Sequence, residues 1–175
     1  FDAFKGQTLP EPESLFDNFE SRTGEMAKNK MSIANDFRWV YDLKVRKEER
    51  QGVKLPSKCV EGYPVEYVRM NAEQKKKWDA HFGPLNEKFI EDYKAGKYED
   101  DKELTRWKYQ RYVKNYLATI KSVDESVGTL LKYLEDNGLA ENTIVIYSSD
   151  QGFYLGEHGW FEKRFIYDES FKTPL

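Results

Sequence analysis

Residues 148–164, "SSDQGFYLGEHGWFEKR", hold most of the side chains in this sequence that could do chemistry. Asp150 and Gln151 lie next to each other, so a carboxylate and an amide oxygen are available together. These are hard oxygen ligands of the kind that Ca²⁺ or Mg²⁺ prefers. The residue types alone leave a second interpretation open, in which Asp150 caps a turn through its backbone contacts and Gln151 is solvated.

The segment before this loop should determine where the two side chains lie. Residues 142–149, "NTIVIYSS", form a continuous β-branched and aromatic run, which predicts a strand buried on both faces. Asp150 then falls at the carboxyl end of that strand, where open α/β sheets bind their ligands. The chain contains no second run of equal quality, so we expect most of the sheet to lie outside it.

The strongest helix signal precedes the strand and predicts one long helix over about 102–136, closed by Asn137 and Gly138. Its apolar residues recur at spacings of three and four. They are Tyr109, Tyr112, Val113, Tyr116, Leu117, Ile120, Val123, Val127, Leu130, Leu131 and Leu134. This spacing favours a surface that faces the core over a ligand platform.

Two shorter helices are predicted upstream, over 72–82 and 85–96. Asn71 and Gln74 match a capping box, and Pro84 stands where a first helical turn tolerates proline. His81 is then a partly exposed residue at a helix end. The acidic residues of "YEDD" (98–101) suit the N-terminus of the long helix.

Residues 1–70 show no sustained periodicity. Residues 1–35 are predicted to form an ordered but irregular segment that covers another part of the protein. Residues 36–70 are predicted to be mainly loop, because Pro56, Gly62 and Pro64 interrupt any long element.

Composition excludes several classes of function. The chain has 175 residues, 39% of them hydrophobic, and a formal net charge of −3 without a long block of one sign, which argues against a nucleic-acid surface. No apolar run approaches the roughly 20 residues of a membrane span. The single cysteine, Cys59, excludes an internal disulfide and a cysteine-based zinc cluster. Because the chain begins at Phe1 and ends on "FKTPL", we expect it to be a piece of a longer protein.

The order of residues in the loop is similar to the C-terminal signature of the sulfatase family, within the alkaline-phosphatase-like superfamily. A strand is followed by "SDQG", by "LGEHG" at 155–159, by Lys163 thirteen residues after Asp150, and by "TPL" at 173–175. The detailed resemblance covers about 105–175. The earlier residues resemble the middle region of bacterial N-acetylglucosamine-6-sulfatases or mucin-desulfating sulfatases.

This resemblance implies an α/β fold class. The chain would be a helix-rich fragment of an alkaline-phosphatase-like α/β sandwich, with the long helix leading to a central strand that carries metal ligands. Residues 1–175 would form part of the catalytic domain. Its irregular segment would be 1–70, its helices 71–138, and its strand and site loop 142–175.

The resemblance also implies a role for individual residues. Asp150 and Gln151 match a pair of metal ligands, for Ca²⁺ or alternatively Mg²⁺. Lys163 matches the lysine that contacts the sulfate ester, where a fixed cation can stabilise developing charge. His158 would support the site, and Glu157 and Arg164 would order the loop.

Two further groups in the loop are structural candidates. Gly152, Gly156 and Gly159 would let the backbone turn tightly around the site. Tyr154, Trp160 and Phe161 have two open roles, because they could stack on a sugar ring or pack the loop.

The nucleophile of the family is not in this chain. Sulfatases use a formylglycine made from the first residue of a Cys/Ser-x-Pro-x-Arg motif, whereas Cys59 is followed by "VEGY". We therefore interpret Cys59 as a structural thiol and expect the formylglycine, with the other metal ligands, upstream of Phe1. The isolated chain should be inactive, and its exposed sheet edge should make it self-associate.

For the full-length protein, the resemblance implies hydrolysis of sulfate monoesters on a sulfated sugar or glycan, in the periplasm or outside the cell. One alternative is a phosphodiesterase or phosphonate monoester hydrolase of the same superfamily. Its two-zinc versions need several histidines, and this chain has only His81 and His158. A second alternative is a catalytically inactive homologue that acts as an interaction module.

Overall fold

The computed structural model describes residues 2–20, 22, 24–56 and 61–173. Predictions that concern Cys59, Pro174 and Leu175 therefore lie outside the described residues. In chain order the helices are α1 (Gly24–Ala27), α2 (Val65–Arg69), α3 (Ala72–Lys94), α4 (Asp101–Asp136) and α5 (Asp168–Phe171). Two short strands, β1 (Tyr154–Leu155) and β2 (Phe161–Glu162), pair antiparallel, with Tyr154 opposite Glu162. Short 3₁₀ turns occupy Asp2–Phe4, Lys47–Arg50, Ala140–Asn142 and Glu157–Gly159.

Helix α4 confirms the predicted long helix, and its start is capped by Asp100, whose side chain accepts a hydrogen bond from the Lys102 N–H at 2.8 Å. Its buried residues all lie in its first half, the last being Val113. The prediction of a core-facing surface along the whole helix is wrong for the second half, where Ile120 and Leu130 are exposed. None of the residues from Lys114 to Asp136 is buried.

Helix α3 is one continuous helix where two were predicted. The capping box at its start is complete, because Asn71 accepts from the Gln74 N–H and Gln74 accepts from the Asn71 N–H. Pro84 lies inside the helix and is exposed. Apolar residues buried on one face both before and after Pro84 stabilise the helix across it, which offsets the missing backbone hydrogen bond. His81 is partly exposed, as predicted, but it lies in mid-helix.

The strand predicted at 142–149 is not a strand here. Asn142 ends a 3₁₀ turn, and residues 143–149 have no ladder partner among the described residues. The side chains of Ile144 and Ile146 are 89% and 76% exposed. A strand needs neighbours to satisfy its backbone groups, and the described sheet contains only β1 and β2. A strongly apolar run is therefore left on the surface.

The core lies between the first half of α4, α3, the irregular N-terminal segment and the β1–β2 hairpin. The N-terminal segment contributes central residues, since Ile33, Trp39 and Leu43 are fully buried. Trp39 and Trp107 both stack on Phe89, with ring centroids 5.6 and 3.8 Å from it. The irregular segment is thus part of the core as well as a layer over α4.

A buried polar network joins α4 to α3. Nη2 of Arg111 donates to Oδ1 of Asn86 at 2.7 Å, and Nδ2 of Asn86 donates to Oε2 of Glu49 and to the Lys44 carbonyl oxygen. Burial lowers the pKa of Arg111 to about 10. These hydrogen bonds compensate in part for the burial of the guanidinium group.

Candidate functional site

The loop that follows Asp150 is built around the β1–β2 hairpin. Gly156 and Gly159 have φ values of 110° and 68°, and an added Cβ would lie 2.7 Å from Tyr109 or 2.8 Å from the Leu15 carbonyl oxygen, respectively. On its outer side the hairpin pairs with the N-terminal segment, because the Ile33 N–H donates to the Gly159 carbonyl oxygen at 2.9 Å. The glycines therefore allow tight turns that pack directly against the core.

The aromatic residues of the loop pack it from inside. Tyr154 and Trp160 are fully buried, and Phe161 is buried against Phe37 with ring centroids 4.4 Å apart. Trp160 also stacks on Phe19 at 5.4 Å. In the structure, Tyr154, Trp160 and Phe161 therefore pack the loop, which is one of the two roles left open for them.

Asp150, Gln151 and Lys163 come together at the surface. Nζ of Lys163 lies 3.5 Å from Oδ1 of Asp150, and the two side chains are 39% and 86% exposed. The side chain of Gln151 is partly buried, and its Nε2 donates to Oγ of Ser170 at 2.9 Å. A ligand in solution can therefore reach the carboxylate and the ammonium group at the same time.

The donor set fits a calcium or magnesium ion, because a carboxylate and an amide oxygen are hard ligands and are adjacent in the chain. Ca²⁺ needs six to eight oxygen ligands. Within the described ranges, no group of three or more His, Cys, Asp or Glu residues could hold a metal ion. These residues can thus supply one side of a coordination sphere.

His158 points into the protein, toward the N-terminal segment. Its Nδ1 lies 3.4 Å from Oδ2 of Asp17 and 3.3 Å from Nη2 of Arg22, and its Nε2 lies 3.7 Å from Oε1 of Glu169. Its backbone N–H donates to Oγ of Ser14 at 2.9 Å. These contacts tie three segments together, and the supporting role of His158 in catalysis stays a prediction.

Asp17 is held in its charged form by this cluster. Burial alone would raise the pKa of Asp17, but hydrogen bonds from the Phe19 N–H, His158 and Arg22 together lower it below its ordinary value. An anion at this position pairs with Arg22 at 2.6 Å and orients the His158 ring.

Glu157 and Arg164 make local contacts. Oε2 of Glu157 accepts a hydrogen bond from the Leu155 N–H at 2.7 Å, which shapes the hairpin turn. Arg164 pairs with Glu162 at 2.7 Å on the surface. Both residues contact the loop itself, which is the kind of role that the sequence suggested for them.

Several residues of this region were not predicted from the sequence, namely Ser14, Asp17, Arg22, Glu169 and Ser170. Ser170 is separated from Gln151 by 19 positions and His158 from Asp17 by 141. No local spacing signals such contacts, because they exist only when the loop, α5 and the N-terminal segment are packed together.

Comparison with known proteins gives the family. A family model described as Sulfatase matches residues 79–175, which contain α4, the hairpin and Lys163. The chain belongs to the sulfatase family. Among the described residues of this sulfatase chain, none of the helices is both long and apolar enough to cross a membrane.

One relative is similar over nearly the whole chain, and another over a smaller part of it. An N-acetylglucosamine-6-O-sulfatase of Bacteroides thetaiotaomicron is 42% identical over 172 residues, covering 98% of this chain and 29% of the relative. Iduronate 2-sulfatase of Mus musculus is 40% identical over 68 residues, covering 38% of this chain and 12% of the relative.

A solved structure confirms the fold class. It is described as a complex with its substrate D-glucosamine-2-N,6-O-disulfate, and it matches this chain with a TM-score of 0.81 and 41% identity. The match covers 98% of this chain and 33% of that one. The chain thus spans about a third of the length of the relatives that match nearly all of it. Its helix-rich structure with a small sheet corresponds to a fragment of an alkaline-phosphatase-like α/β fold.

Proposed function

We propose that this chain is part of an enzyme that hydrolyses sulfate monoesters on a sulfated sugar, with a 6-O-sulfated glucosamine unit as the favoured substrate. Membership of the sulfatase family supports the reaction. The two comparisons that cover 98% of the chain support the sugar, since the curated relative is named an N-acetylglucosamine-6-O-sulfatase and the solved structure is described as a complex with a glucosamine disulfate substrate.

One observation carries the proposal: Lys163 lies 3.5 Å from Asp150, in the loop that also holds Gln151. A sulfate monoester carries one negative charge on its non-bridging oxygens, and this charge needs cationic partners. A bound cation would act as a Lewis acid on a sulfate oxygen. Asp150 and Gln151 would hold that cation from this side, with Ca²⁺ favoured over Mg²⁺.

Lys163 has the chemistry and the exposure for a direct contact with the ester. Its ammonium group can donate hydrogen bonds to a non-bridging oxygen and to the leaving oxygen, so it stabilises negative charge as the S–O bond breaks. The nucleophile, which we propose to be a formylglycine, and the remaining cation ligands would come from residues outside this chain.

The test is a comparison of esters with the full-length protein, with maturation of its nucleophile ensured and calcium present. We expect hydrolysis of glucosamine 6-sulfate and of a chromogenic aryl sulfate, with much slower hydrolysis of the matching aryl phosphate. Asp150→Asn should lower kcat/KM for both sulfates by 100-fold or more, on the order of the loss seen when a group that stabilises the transition state is removed. Asp136→Asn is the matched control, because Asp136 is an exposed, ion-paired aspartate at the far end of α4.

A preference for the aryl phosphate would favour a phosphoesterase of the same superfamily. Absence of turnover of every ester by matured protein would favour an inactive homologue. Equal activity of Asp150→Asn and Asp136→Asn would show that Asp150 is not part of the site.

A further inference from the structure

Ser170, in α5, contacts the Asp150–Gly152 turn at two points. Its Oγ accepts a hydrogen bond from Nε2 of Gln151 at 2.9 Å. Its backbone carbonyl oxygen accepts one from the Gly152 N–H at 3.0 Å. Ser170 is only 3% exposed, so both contacts are sheltered from water.

The position of Ser170 relative to this turn is fixed by the backbone. Its own N–H donates to the Tyr167 carbonyl oxygen at 3.0 Å at the start of α5. A Cβ added at Gly152 would lie 2.0 Å from the Glu169 carbonyl oxygen, so α5 approaches the turn as closely as a glycine permits. The hydroxyl group therefore meets Gln151 at a defined place.

The amide of glutamine carries a donor branch and an acceptor branch on one carbon atom. Only the acceptor branch, Oε1, can bind a cation. A hydrogen bond that holds Nε2 on Ser170 fixes the rotation of the amide about its last torsion, which is otherwise broad. An amide without this contact can rotate and present its NH₂ group to the cation.

We infer that Ser170 is a positioning residue of the cation site, which holds the Gln151 amide by its nitrogen so that its oxygen is the ligand. The inference rests on the proposed function only for the presence of the cation. Ser170 itself touches neither the ester nor the reacting atoms, and it acts through Gln151. Partners that orient metal ligands in this way commonly change metal affinity by 10- to 100-fold when they are removed.

The experiment measures calcium binding by calorimetry and, separately, sulfate hydrolysis, both with the full-length protein. Ser170→Ala should raise the Kd for calcium by about tenfold or more and reduce the rise in Tm that calcium produces. Activity should return toward the wild-type value when calcium is raised above the new Kd. Ser126→Ala is the control and should leave both calcium binding and activity unchanged, because the Ser126 hydroxyl donates to the Ser122 carbonyl oxygen within the exposed second half of α4.

A double-mutant cycle separates positioning from a general effect on folding. In a Gln151→Ala background, adding Ser170→Ala should leave the Kd for calcium unchanged, because the side chain through which Ser170 acts is gone. A further loss of affinity in that background would overturn the inference, as would a Ser170→Ala variant with wild-type affinity. A wild-type protein that hydrolyses sulfate without binding calcium would overturn it too, while leaving the proposed reaction intact.

Discussion

Nζ of Lys163 lies 3.5 Å from Oδ1 of Asp150, although 13 residues separate them in the chain. The β1–β2 hairpin returns the chain to its starting point and so brings the two side chains together. One side chain is suited to a cation and the other to an anion. Under the proposed function, the pair would bind a sulfate group between a metal ion and an ammonium group.

Lys163→Ala should lower kcat for sulfate esters by about 100- to 1,000-fold if, as proposed, the side chain stabilises charge that develops in the transition state. Steady-state kinetics of the full-length protein provide the measurement. Lys172→Ala is the control, since Lys172 is a nearby exposed lysine that pairs with Asp168 at 2.5 Å. Similar kinetics for Lys163→Ala and Lys172→Ala would show that Lys163 is not part of the site.

Gly152→Ala should destabilise the protein by about 2 kcal/mol, in the range of overpacked buried sites. The added Cβ would lie 2.0 Å from the Glu169 carbonyl oxygen and would push α5 away from the Asp150–Gly152 turn. Calcium affinity should fall in the same variant, because Ser170 moves with α5. Urea unfolding and calorimetry measure the two effects.

Gly128→Ala makes the same chemical change in the second half of α4, where nothing lies within 4 Å of the added Cβ. It should stabilise the protein by about 0.5–1 kcal/mol, because alanine favours the helix over the unfolded chain. If Gly152→Ala and Gly128→Ala change stability in the same direction, the close approach of the Glu169 carbonyl oxygen does not determine the effect of Gly152→Ala.

The features that the sequence predicted correctly depend on local chemistry. The cap at Asn71, the course of α4 and the loop motif around Asp150 are each determined by residues close together in the chain. The continuity of α3 through Pro84 was missed, because the apolar contacts on both sides of the proline are tertiary. The strand at 142–149 was predicted from its composition, but a strand forms only where another strand is present to pair with it. The Gln151–Ser170 contact, likewise, depends on the packing of α5.

Glu61 should make stability depend on pH. The hydrogen bonds from Arg50, at 2.8 and 2.6 Å, lower the pKa of Glu61 below its ordinary value of 4.5. A carboxylate whose pKa is lower in the folded state than in the unfolded state stabilises the fold. This stabilisation is fully present above the unfolded-state pKa and is lost as the pH falls through the folded-state pKa. Glu61→Gln should therefore cost about 2 kcal/mol at pH 7 and progressively less below pH 4.5.

The check is a series of urea unfolding curves for wild type and Glu61→Gln between neutral and acidic pH. Glu73→Gln serves as the control, because the Glu73–Lys77 pair is exposed on α3 and should contribute under about 1 kcal/mol at any pH. A constant difference between wild type and Glu61→Gln across the series would contradict the assignment.

The purified 175-residue chain should self-associate through residues 143–147 and the second half of α4. Ile144 is 89% exposed in a β-branched run that has no strand partner among the residues the structure describes, and such a run can pair with a second copy. Ile144→Lys should shift the chain toward the monomer in light scattering at a fixed concentration. Ile166→Lys is closely matched, because Ile166 is 88% exposed but lies outside that surface, and it should leave association unchanged. A monodisperse monomer for the unaltered chain at high concentration would contradict the prediction. Equal effects of Ile144→Lys and Ile166→Lys would show that the chain associates through a different surface.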